Sequence, residues 1–254
     1  ADAPNYITWG DFEMAMAEKA KEFEDEDSFI ECLRDFKLYM VSHLEKEQQR
    51  FQSRTAVGKD VRGRCIDETT KSTEKFYIGL KPNVVNEFIR LGANNNPKYY
   101  FVSFNYTNAF DYVLSPFAGE VIHIHGRLGS DIVLGADNIG QVTDLPYKTT
   151  RRFERAFIKP EFNKNYDNSR IEKAKRIIES SDIICIYGMS LGKSDLSWTK
   201  QIKDWLIAHK NNHLVCFVYD EREFNKSNWD AIIDEEENRI ASLLGKICES
   251  GDEM

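Results

Sequence analysis

Three short segments hold the residue types that could do chemistry: Ser103-Phe104-Asn105-Tyr106-Thr107-Asn108, His123-Ile124-His125-Gly126, and Tyr187-Gly188-Met189-Ser190-Leu191-Gly192-Lys193-Ser194-Asp195. Each follows an apolar run predicted to be a β-strand. Ligands of open α/β sheets sit in the crevice beyond the carboxyl ends of the strands, so three such tips in one chain predict one site. Asn105, with Tyr106, Thr107 and Asn108 behind it, can present amides and a hydroxyl to a sugar or to an attacking water. The same asparagine would equally serve as the cap of a helix starting near Thr107.

His123 and His125 are two apart on a predicted strand and so share a face, and Gly126 lets the backbone turn sharply behind them. An imidazole is the usual general base at neutral pH. A strand histidine is also often a packed, hydrogen-bonded residue, and a pair on one face could bind metal. Metal needs further ligands, and neither HExxH nor CxxC spacing occurs; His43, His209 and His213 fall on predicted helices or their ends. No metal is expected.

The Tyr187 segment leads from a strand through Gly188 and Gly192 into a helix, with Ser190, Ser194 and Asp195 on the way. Such a turn aims backbone N–H groups at a phosphate or a ribose hydroxyl, although it lacks the GxGxxG fingerprint. Ser194 and Asp195 would also act simply as helix caps. Asp220, at the end of the apolar run through Phe217-Val218-Tyr219, stands where an acid could accept bonds from ribose hydroxyls, or where a turn residue is needed.

The elements that must position these residues read as follows. Phe12, Met16, Ala20 and Phe23 keep to one face of a first helix, with Thr8 and Asp11 as a capping pair. Ser28 and Glu31 have capping-box spacing, and Phe29, Leu33, Phe36, Met40 and Leu44 then form a stripe that ends in the charged run Glu45 to Arg50. Residues 52–75 read as a surface loop, and Pro82 opens a helix with Val85, Phe88 and Leu91 on one face, stopped by Gly92, three asparagines and Pro97. From Tyr99 onward short strands are predicted at Tyr99–Phe104, Glu120–Ile124 and Asp131–Leu134. After a polar connection come a helix around Ile171–Ile178, the strand Ile183–Tyr187, a helix Leu196–Ala208, the strand Leu214–Tyr219 and a helix over about Trp229–Leu244. Strands alternating with helices indicate a mostly parallel, Rossmann-like α/β sheet flanked by helices. The organisation is one domain over 1–254, with a helical subregion at 9–95 ahead of the strand–helix part at 96–254.

Composition narrows the partners. The chain has 254 residues, 41% hydrophobic and 30% charged, an ordinary globular balance. A net charge of −8 argues against broad binding to nucleic acid or to an anionic membrane. Five scattered cysteines, two of them inside apolar strand runs (Cys185 and Cys216), suit free core thiols in a reducing cytoplasm. No apolar run reaches the ~20 residues of a membrane helix, and the start Ala1-Asp2-Ala3-Pro4 lacks a signal peptide's regions.

Taken in order, Phe104-Asn105-Tyr106-Thr107-Asn108, His123-Ile124-His125-Gly126, Val133-Leu134-Gly135 and the Tyr187–Asp195 segment resemble the AbiH family of bacteriophage abortive-infection proteins, from about Asp11 to the last helix. Through the asparagine, His-Gly and Gly-x-Ser segments the family is in turn similar to the sirtuin-type NAD-binding domains of phage-defence NAD hydrolases. The resemblance implies a sirtuin-like fold with NAD as substrate or ligand. It further implies Asn105 orienting water, His125 as base on the nicotinamide ribose, and Gly188 and Ser190 in the cofactor turn. Asn108, His123, Asp195 and Asp220 are expected to contact the cofactor as well. It also implies a strand and a glycine-rich loop ahead of Asp11 that this sequence does not carry, a phage or host trigger, and a homo-oligomer. Two other classes use the same residues: a non-catalytic nucleotide sensor or scaffold of a defence system, and a metal-dependent hydrolase built on His123 and His125.

Overall fold

The computed structural model describes residues 9–57, 82–94, 98–109, 111, 120–189, 193–217, 238 and 245. The chain divides into two compact units, one of residues 1–32 and 133–254 (unit 1), the other of residues 33–132 (unit 2).

In unit 1, helix α1 (Trp9–Lys19) ends in a 3-10 turn, Ala20–Glu22. Its buried positions are Glu13, Ala17 and Ala20, with Phe12, Met16 and Phe23 half-buried. The buried face is therefore rotated about one residue from the predicted one, because a glutamate is drawn inward by a buried lysine described below. Helix α2 (Glu26–Val57) begins two residues before the predicted Ser28 cap. Asp25 takes the capping role instead, its Oδ1 accepting the Ser28 N–H at 2.8 Å. That bond holds the Asp25 carboxyl below its ordinary range, as expected of an anion at a helix start. Phe29, Leu33 and Met40 are buried as predicted. The charged run Glu45 to Arg50 does not end α2, which continues to Val57. Glu, Lys, Gln and Arg are strong helix formers, so such a run solvates a helix without stopping it.

The remainder of unit 1 starts from Val133 and Leu134, both buried. The predicted strand Asp131–Leu134 has no strand pairing; the pairing found is a single parallel rung, Ala136–Ile158, a little further on. Ala136 N–H donates to the Phe157 carbonyl and Lys159 N–H to the Ala136 carbonyl, both at 2.9 Å. The connection read as merely polar holds two helices, α3 (Arg151–Phe157) and α4 (Lys159–Tyr166). Thr150 caps α3 by accepting the Arg152 N–H, and Pro160 lies in the first turn of α4. Phe153 and Phe157, one turn apart, pack against Phe29 with ring centroids 5.4 and 5.1 Å away. Helix α5 (Ser169–Ser180), strand β1 (Ile183–Tyr187) and helix α6 (Leu196–Ala208) follow the sequence reading closely, and β2 (His213–Phe217) pairs parallel to β1 through five rungs. Cys32, Cys185 and Cys216 are free thiols, but Cys185 is exposed and not in the core. Strand packing nevertheless desolvates that thiol and, with Cys216 beside it, pushes it up to about 11.

Unit 2 holds the rest of α2, helix α7 (Pro82–Asn94), and strands β3 (Phe101–Ser103) and β4 (Val121–His123), again parallel. Pro82 opens α7 as predicted, while Gly92 lies inside the helix and not at its stop. Every strand pairing among the described residues is parallel, and the strands form two ladders of two. The molecule is thus a mixed helix–strand protein with short parallel sheets. Among the predicted elements, the segment 58–75 and the helix 229–244 lie outside the described residues, apart from Asn238, as does Thr8.

Two glycines in unit 2 separate conformation from space. Gly126 (φ +77°) has no room, since a Cβ there would stand 1.8 Å from the Asp131 carbonyl oxygen. Gly129 (φ +84°) faces open space. Gly126→Ala is expected to destabilise the fold by about 3 kcal/mol, from strain plus overpacking, and Gly129→Ala by about 1 kcal/mol, from conformation alone. Urea unfolding of both variants checks the difference.

Candidate functional site

The tip of the β3–β4 pair is built by parallel register. The last rung joins Ser103 to His123, and two residues beyond it on each strand stand Asn105 and His125. Backbone bonds keep the two segments side by side past the ladder: Ile124 N–H to the Ser103 carbonyl at 3.1 Å, and Leu128 N–H to the Tyr106 carbonyl at 2.8 Å. Gly126 N–H donates to the His123 carbonyl at 3.3 Å, closing the turn that buries His125. His125 is 5% exposed, with its ring centroid 5.4 Å from Phe104 and 6.3 Å from Tyr106. Asn105 is exposed, and its side chain makes no hydrogen bond to a described residue. Its backbone is held, with the N–H donated to Ser103 Oγ at 3.2 Å.

His123 and Asn108 have structural partners. His123 Nδ1 lies 3.0 Å from the Asn105 carbonyl oxygen and Nε2 lies 2.7 Å from Asp111 Oδ2. Asp111 also stands 3.6 Å from the Arg127 guanidinium. Asn108 donates its backbone N–H to Gln48 Oε1 at 2.6 Å and its Nδ2 to the Leu128 carbonyl at 3.4 Å, while its Oδ1 is buried with no partner among the described residues. This tip therefore brings together Asn105, Asn108, His123 and His125, all predicted, with Asp111 and Gln48, which were not.

Unit 1 has a second polar cluster, and it is buried. Lys159, 4% exposed, donates to Glu13 Oε2 at 2.7 Å, to the Ser194 carbonyl at 2.9 Å and to Asp195 Oδ1 at 3.0 Å. Three donors meet three acceptors, so the ammonium is saturated. Glu13, 1% exposed, also accepts the Gly135 N–H at 3.3 Å. Beside them Asp137 accepts the Ser197 hydroxyl at 2.6 Å and the Ser197 N–H at 3.0 Å, capping α6 from a distant segment. Burial pushes the Asp137 carboxyl up, against the opposing pull of the Ser197 hydrogen bonds and of Lys159, with Asp195 adding to the rise.

The predicted residues of unit 1 fare differently. Gly188 follows β1 directly with φ +64° and open space around it, consistent with a turn at the strand end. Asp195 is a partner of Lys159. Ser190 and Asp220 lie outside the described residues. Sequence reasoning missed Glu13, Asp137 and Lys159. The available signals were a glutamate one turn before Ala17 on an otherwise apolar helix face, and a lysine between Ile158 and Pro160 after two phenylalanines. No group of three or more His, Cys, Asp or Glu among the described residues could hold a metal ion. No helix among them is long and apolar enough to cross a membrane.

Residues 2–246 match the family described as bacteriophage abortive infection AbiH. The chain belongs to the AbiH family. No curated protein and no solved structure matches it. The match covers both units of this AbiH chain, and with them the strand-tip cluster and the buried lysine cluster.

Two outcomes are expected of the buried cluster. Lys159→Met leaves Glu13 as an uncompensated buried charge and is expected to cost about 3–5 kcal/mol in urea unfolding, part of it recovered by adding Glu13→Gln. Because the Asp137 carboxyl is raised on folding, its contribution to stability is full below the ordinary carboxyl range and is lost as pH rises through the raised value. The stability of the wild-type chain relative to Asp137→Asn should therefore fall as pH rises above the ordinary aspartate value of about 4, as read by urea midpoints along a pH series.

Proposed function

We propose that this AbiH chain acts in abortive infection by binding a nicotinamide dinucleotide at the β3–β4 tip and cleaving its nicotinamide–ribose bond with water. The fold it would do this on is a sirtuin-like variant of the Rossmann sheet, with NAD as substrate and a phage or host component as trigger. The observation that supports the reading is that an exposed asparagine and a histidine each stand two residues past the last rung of adjacent parallel strands. In that reading the C–N glycosidic bond breaks, nicotinamide leaves with the bonding electrons, and water adds to the oxocarbenium-like ribose carbon. The Asn105 amide orients that water. His125 takes a proton from a ribose hydroxyl as charge develops on the ring, and the adding water gives that hydroxyl a proton back; the rings of Phe104 and Tyr106 beside His125 supply an apolar wall.

The burial of His125 favours a second reading, in which the tip holds a nucleotide without turning it over and the chain is a sensor or scaffold of a defence system.

Nicotinamide release from NAD decides between them. Turnover by the wild-type chain, reduced at least about 100-fold by Asn105→Ala and by His125→Ala, is the outcome expected for general-base chemistry. Saturable NAD binding without turnover moves the chain to the sensor reading. Absence of both overturns the assignment of NAD.

A further inference from the structure

We infer that His123 is a positioning residue which, together with Asp111, holds the Asn105 peptide at the level of His125. This rests on the proposed role of Asn105 and adds to it a pair of residues that work through that asparagine and not on the ligand.

The hydrogen-bond geometry carries the inference. A carbonyl oxygen can only accept, so the 3.0 Å contact between His123 Nδ1 and the Asn105 oxygen places the hydrogen on Nδ1. On the other side, Nε2 is hydrogen-bonded to the Asp111 carboxylate oxygen at 2.7 Å. Both ring nitrogens are thereby committed to protein. His123 is only 6% exposed, and hydrogen bonds withdrawn from water hold their geometry more firmly. Asp111 is in turn near the guanidinium of Arg127, two residues after His125, so the pair reaches back to the second strand end. With its N–H held by Ser103 Oγ and its carbonyl by His123, the peptide groups on both sides of Asn105 are anchored, while the residue itself is exposed.

Asparagine and glutamine dissect the two contacts, because an asparagine Nδ2 reproduces the place of an imidazole Nδ1 and a glutamine Nε2 that of an imidazole Nε2. In hydrogen exchange of the full chain, His123→Gln should lose the bond to Asn105 and raise exchange in the peptide spanning residues 104–108 by about tenfold. His123→Asn should stay near the wild-type rate in that peptide. In nicotinamide release, kcat should fall in the order wild type, Asn variant, Gln variant, with KM for NAD unchanged. Equal exchange in the two variants, or a rise spread evenly over β3 and β4, overturns the inference. A wild-type chain that releases no nicotinamide overturns the proposed reaction instead, while the exchange comparison still decides the positioning role. Should His123→Gln fail to fold, Asp111→Ala at a partly exposed position takes its place, and an exchange rise outside the 104–108 peptide overturns the inference there too.

Discussion

A buried ammonium is the constraint on which unit 1 depends. An ammonium cannot remain in an apolar interior unless each N–H meets an acceptor, and each of the three acceptors around Lys159 belongs to a part of the chain far from it in sequence. Glu13 sets the rotation of α1 about its axis. The Ser194 carbonyl and the Asp195 carboxylate set the 3-10 turn that leads into α6. Lys159 itself is held by its own N–H on Ala136, the residue that bridges to Ile158. The segment that makes this bridge also supplies Asp137, which caps α6 through Ser197, so two adjacent polar contacts fasten the start of one helix. Replacing this arrangement by apolar groups need not weaken a fold, but removing one member leaves a charge stranded, which is why the cluster acts as a single constraint.

Unit 2 meets a different problem. A ladder of three parallel rungs is too short to hold its ends rigidly. Rigidity at the tip comes from bonds beyond the ladder, Ile124 to Ser103 and Leu128 to Tyr106, and from side chains that bind backbone: His123, Asn108 and Gln48. Gly126 makes this feasible, because only a residue without Cβ can turn there against the Asp131 carbonyl.

What could be read from the sequence follows from where the deciding physics was local. The strand Ile183–Tyr187 and the helix Leu196–Ala208 were legible to the residue, since apolar periodicity and flanking polar residues settle both. The membership in the AbiH family was legible in four short segments, three of them at predicted strand tips. The start of α2 was misread because Asp25 and Ser28 both suit a cap, and an ionised carboxylate in place of a hydroxyl decided it. The strand at Asp131–Leu134 was misread because an apolar run shows burial but not whether a partner strand lies beside it. Helices α3 and α4 were passed over because their charged residues hide a short apolar repeat, Phe153 to Phe157. Glu13, Asp137 and Lys159 were not legible at all as a group, since their meeting depends on contacts more than a hundred residues apart in the case of Glu13.

Commitment of polar groups is what separates the two clusters. A side chain that binds or activates a ligand needs a donor or acceptor that the protein itself has not already engaged. Lys159 has none left, because all three of its hydrogens have acceptors within the fold. His123 is in the same position, with both nitrogens engaged. Asn105 differs: its peptide is held on both sides while its amide is exposed, which is the arrangement that lets a short side chain face a ligand without losing its place. Polar residue types and spacing alone rank Asn105, His123 and Asp195 together; the hydrogen-bond partners engage the His123 ring and the Asp195 carboxylate within the fold and leave the Asn105 side chain without a partner among the described residues.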